Sequence, residues 1–83
     1  MSEIGILYRL YPSEGSDIEE LGKKLQQEAG AASTEVEEIG FGIKVIKALF
    51  KYNDEKTNSS DIESKIRAVK GVEQIEVIEE SLI

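Results

Sequence analysis

Apolar residues recur at every second position from Ile4, where Ile4, Ile6, Tyr8 and Leu10 share one face until Pro12, which has no N–H to give a ladder, stops the run. The spacing predicts a first strand. Ser16-Asp17-Ile18-Glu19 has the form of a capping box, and Ile18, Leu21 and Leu25 then fall on one side of a helix that Gly30 can end. Glu35 to Ile39 forms a short acidic strand. Gly40-Phe41-Gly42 interrupts it before a longer strand from Ile43 to Tyr52, in which Ile46, Ala48, Phe50 and Tyr52 make a wholly apolar face. The polar stretch from Asn53 to Ser59 predicts a turn. A second capping box, Ser60-Asp61-Ile62-Glu63, opens a helix with Ile62, Ile66 and Val69 on one stripe, closed at Gly71. Val72 to Ile78 reads as the last strand.

The order βαββαβ predicts an α+β fold of the ferredoxin-like kind. Two right-handed crossovers place both helices on one face of a four-stranded antiparallel sheet, a two-layer sandwich. At 83 residues the chain is expected to form one domain, residues 1–83, with one small core. If the even positions of the first and third strands face the helices, Leu7, Val45 and Leu49 lie on the open face as an apolar stripe among charges. Such a stripe can meet a partner, and it can equally be the ordinary aliphatic content of a sheet surface.

Charge narrows the functional classes. Ten basic against seventeen acidic residues give a net charge of −7, which repels phosphate backbones and anionic lipid and favours a basic protein surface. With no Cys and no His, the chain has no disulfide, thiolate nucleophile, imidazole base or Cys/His metal site, and most enzyme mechanisms are excluded. Met1-Ser2-Glu3 lacks a secretory start and no apolar run is long enough to span a bilayer, so a cytoplasmic protein is expected, with no membrane or direct nucleic-acid contact. The groups Glu35, Glu37, Glu38 and Glu76, Glu79, Glu80 lack the ligand pattern of a calcium loop and read as solvated acidic faces. No cofactor is implied, and a monomer or weak dimer is expected.

Gly40-Phe41-Gly42-Ile43-Lys44 is the most informative stretch. Two glycines around an aromatic permit a tight backbone path that pushes the ring outward as an anchor for a partner's pocket; a structural turn with Phe41 tucked into the core fits the same residues. Other functions of this fold are weaker matches. In an RNA-recognition motif further aromatics would follow in the strand, where Ile43, Lys44 and Val45 stand. A small ligand-binding regulatory module of the amino-acid-sensing type would use a glycine turn after the first strand, for which Pro12-Ser13-Glu14-Gly15-Ser16 offers only Gly15 and Ser16. An acylphosphatase-like site needs an arginine in a phosphate-binding loop, whereas Arg9 lies in a strand and Arg67 in a helix.

Ile6-Leu7-Tyr8-Arg9-Leu10-Tyr11-Pro12, Gly40 to Lys44, Asp61 to Ile66 and Val72 to Val77 together resemble, in order and spacing, the exchange domain of the translation elongation factor 1-beta family, in its archaeal form that consists of this domain alone. The resemblance implies a guanine-nucleotide exchange factor that binds elongation factor 1-alpha, promotes GDP release and permits GTP to rebind, without covalent chemistry. It assigns Phe41, flanked by Gly40, Gly42 and Lys44, to contact with that GTPase. In eukaryotic relatives a lysine next to the last residue disturbs the partner's magnesium site; the corresponding position here is Leu82, and Glu79 to Ile83 contains no basic residue. Three alternatives follow from the resemblance: Ser81, Leu82 and Ile83 touch the partner sterically, Lys44 or another cation substitutes, or exchange is weaker.

Overall fold

A computed structural model describes residues 3–53, 55 and 58–82. The elements are β1 (Glu3–Pro12), α1 (Ile18–Glu28), β2 (Ser33–Gly40), β3 (Ile43–Asn53), α2 (Ser59–Ala68) and β4 (Val72–Leu82). The strands form one sheet in the order β2-β3-β1-β4, with every neighbouring pair antiparallel. This is the expected ferredoxin-like βαββαβ arrangement. Opposed residues Ile6 and Phe50, Tyr8 and Ala48, and Leu10 and Ile46 share the face that packs against the helices. There they join Leu21 and Leu25 of α1 and Ile62 and Ile66 of α2 in one buried cluster. Both helices therefore cover the same side of the sheet. Tyr8 and Phe50 meet edge to face at the centre, with ring centroids 5.7 Å apart and planes at 76°.

Several boundaries differ from the sequence expectation, each for a local reason. The cap of α1 is Asp17 and not Ser16: its carboxylate accepts from the N–H groups of Glu19 and Glu20. Asn58 caps α2, accepting from the Asp61 N–H, so the helix starts at Ser59, ahead of the anticipated Ser60 box. β2 is longer than Glu35–Ile39 at both ends. β4 continues past Ile78 to Leu82, because the ladder with β1 skips Ile78 between the pairs Tyr8–Val77 and Leu7–Glu79 and then resumes. Glu79 to Leu82, beyond the expected end of the last strand at Ile78, is strand; Ile83 lies outside the described residues.

Candidate partner-binding surface

The surface is assembled from the β2–β3 hairpin, the open sheet face and the end of β4. At the hairpin, Gly40 pairs with Ile43, leaving Phe41 and Gly42 as a two-residue connection. Their φ angles are 54° and 76°, and positive φ at both positions is what a type I′ turn requires to match the twist of its strands. Asn-Gly is the usual occupant. A phenylalanine in this left-handed region brings its Cβ against the backbone, at a cost of about 1–2 kcal/mol. The ring recovers none of it by packing, since Phe41 is fully exposed at 105 %. The outward alternative for Phe41 is the one adopted. Ile39 and Ile43 beside it are also about half exposed, so the tip is an apolar finger on an otherwise acidic protein. Lys44 is exposed and stands opposite Glu38, on the other sheet face from Ile43.

The open face does not carry the continuous apolar stripe anticipated for Leu7, Val45 and Leu49. Leu7 and Leu49 face each other across the β1–β3 ladder and line a shallow hollow with Gly5, Glu79 and Ser81. The next opposed pair on this face is Arg9 and Lys47, which divides this hollow from Val45. Arg9 Nη1 donates to Glu76 on β4 at 2.9 Å and Nη2 donates to Glu37 on β2 at 3.3 Å, while Lys47 Nζ reaches Glu37 at 2.8 Å. Glu37 is thus no solvated face residue. The Lys47 hydrogen bond foremost, with the Lys47 and Arg9 charges, holds its carboxyl below the usual range. Val45 is completely buried beside this ion group, outside the main core.

Ser81 and Leu82 are exposed at the far end of the sheet, paired with Gly5 and Ile4. Ile4 in turn pairs with Tyr52, and the nine residue steps from Tyr52 back to Ile43 span roughly 30 Å of strand. Phe41 and Leu82, both expected to meet the partner, therefore lie at opposite ends of the sheet. The Gly15 turn after β1 closes on itself, with Ser16 N–H donating to Ser13 O, and Ser13 N–H donates to Gly71 O. Among the described residues, no three carboxylates converge as a metal site. None of the described helices is long and apolar enough to cross a membrane.

Residues 6–83 match the family model described as the EF-1 guanine nucleotide exchange domain. The chain belongs to the elongation factor 1-beta family. Its relatives include an elongation factor 1-beta of Methanoregula boonei, 37 % identical over 82 residues that cover 98 % of this chain and 96 % of the relative. The elongation factors 1-beta of Pyrobaculum neutrophilum and Pyrobaculum aerophilum are 38 % and 36 % identical over 77 residues, 86 % of this chain and 84 % of each relative. These similarities run through the hairpin, the open face and β4 alike, so the surface described above is that of a guanine-nucleotide exchange domain of translation elongation.

Sequence reasoning missed three parts of this surface: the positive φ at Phe41, the ion group across four strands and the bulge at Ile78. The first had a signal in the spacing, because a glycine on each side of an aromatic leaves only two residues to reverse the chain. The second required the register, which places Glu37 beside Lys47 and Arg9 although they are far apart in sequence.

Proposed function

We propose that this chain binds the GTPase elongation factor 1-alpha, with Phe41 entering an apolar pocket of the partner and Gly40, Gly42 and Lys44 framing it, and thereby promotes GDP release and GTP rebinding. The observation that carries the reading is a fully exposed phenylalanine held at positive φ on the tip of an exchange domain, since strain without any packing return within the molecule points to a return in a complex. Exchange follows by linkage: a protein that binds the nucleotide-free state more tightly than the GDP state weakens GDP binding by the same factor. Neither covalent chemistry nor a cofactor enters, and the site of action is the cytoplasm. β4 contains four glutamates and no basic residue, so no cation is delivered from that strand. Ser81, Leu82 and Ile83 act through steric contact at a second region of the partner, Leu82 lying about 30 Å from the Phe41 tip by the strand length.

The test is the release rate of a fluorescent GDP analogue from elongation factor 1-alpha, with and without substoichiometric amounts of this protein. Acceleration that falls at least about tenfold in Phe41→Ala, with unchanged thermal stability, is the expected result. Full activity of Phe41→Ala would remove the hairpin from the contact, and no acceleration by the native chain would refute the exchange role.

A further inference from the structure

The free edge of β2 lies beside α1, and between them runs a groove of about 280 Å³ whose lining includes Ile18, Gly22 and Lys23 of α1, Glu35 and Val36 of β2, and Ile46 of β3. Its width depends on Gly22. A glycine inside a helix costs about 1 kcal/mol relative to alanine, and nothing in the backbone calls for one, because Gly22 is helical and a Cβ there would meet only Thr34 Oγ1 at an ordinary 3.5 Å. Packing would thus accept alanine; what a side chain at this position would diminish is the open volume. Val36, about half exposed, points the apolar side of β2 toward the same space.

The two sheet edges also differ. β4 is interrupted twice, at Ile78 and again before Pro12 of its partner, which breaks the regular spacing that an added strand needs. β2 pairs without a shift from Ser33 to Glu38, so its outward N–H and C=O groups form a regular template over that stretch. A second copy of this chain is a poor occupant, since pairing β2 with itself would set Glu35, Glu37 and Glu38 against their equivalents. A basic segment is favoured. Residues of such a segment alternate in direction, so those facing the helix layer enter the groove against Val36, while those on the other side meet the Glu35 side of β2, where Glu35 forms no ion pair among the described residues.

We propose that this groove and the β2 edge receive an extended protein segment of alternating basic and apolar residues, which adds to the sheet as a fifth strand. The surface is separate from the Phe41 tip, so one chain can hold the GTPase and a second basic polypeptide together. The experiment is a nuclear magnetic resonance titration of the full chain with a blocked Lys/Val alternating peptide about six residues long, the length of the regular edge, against a Glu/Val control. The expected result is saturable shifts and slowed amide exchange at residues 33–38 with the basic peptide alone. Gly22→Met, which fills the groove, weakens binding at least about tenfold, and Glu35→Lys, on the exposed edge, weakens it severalfold while admitting the acidic control. Circular dichroism establishes that both variants are folded, and GDP-release activity is expected to be unchanged in each. Equal binding of both peptides, shifts confined to residues 72–82, undiminished binding by both variants, or no saturable change would overturn the proposal and leave the acidic edge as a guard against self-pairing.

Discussion

Phe41 occupies a backbone region that a residue with a Cβ enters only at a cost, and its ring touches solvent on all sides. Replacing it with glycine relieves about 1–2 kcal/mol of strain and returns about 0.5–1 kcal/mol through the greater freedom of the unfolded chain. Phe41→Gly is therefore expected to be as stable as the native protein or more stable by up to about 1.5 kcal/mol, with a correspondingly higher melting temperature, while losing partner binding; a drop in melting temperature would show that the ring packs in solution. Tyr8 presents the opposite case. It is wholly buried, and its hydroxyl has no hydrogen-bond partner among the described residues. Burial foremost, then the nearby Glu63, Tyr52 and Glu80, push its ionisation far up, so it stays neutral at any ordinary pH. An unsatisfied buried hydroxyl costs about 1–3 kcal/mol, and Tyr8→Phe keeps the edge-to-face contact with Phe50. Tyr8→Phe is expected to be neutral or stabilising by about 1 kcal/mol in urea unfolding. A loss of that size would show the hydroxyl bonded to a water.

At the scale of elements, the ion group of Arg9, Glu37, Lys47 and Glu76 ties all four strands together on the face without helices. Because the Glu37 carboxyl is held below its ordinary range in the folded state, its contribution is present above the unfolded-state value and is lost as pH falls through the folded one. Stability is thus expected to decline on acidification below about pH 4.5, and Glu37→Gln should flatten that part of the profile. An unchanged profile in Glu37→Gln would assign the decline to other carboxylates. The helical pairs Glu20–Lys24 and Glu63–Arg67, at 3.8 and 3.9 Å and largely exposed, add only a few tenths of a kcal/mol each.

Across the whole molecule, 42 Å long in its greatest extent, the Phe41 tip and Leu82 stand at opposite ends of the sheet. If both contact one partner they do so independently. Binding losses from Phe41→Ala and Leu82→Ala are then expected to add to within about 0.5 kcal/mol in the double variant, as for sites well beyond 10 Å apart. Strong non-additivity would place them in one contact or reveal a shift of the sheet between them. The net charge of −7 acts at this scale too, drawing a basic partner into encounter more than it raises final affinity.

Much of the fold was legible in the chain because its signals are local. Period-two alternation in β1 and β3 marked the buried face down to Ile6, Tyr8, Ala48 and Phe50, and the stripe of Leu21, Leu25, Ile62 and Ile66 marked the helix faces that meet it. The caps were displaced by one or two residues, since Ser, Asp and Asn compete for the same N–H groups and the winner depends on how the chain enters the helix. The glycine-flanked Phe41 was conspicuous in sequence, yet whether its ring pointed inward or outward depended on the register of two strands. That register also joined Glu37 to Arg9 and Lys47, split Leu7 and Leu49 from Val45, drew Glu79 to Leu82 into β4 and set Leu82 about 30 Å from Phe41. Alternation along a strand is written in neighbouring residues, whereas pairing between strands is a choice among long-range contacts, and only the closed sheet makes it.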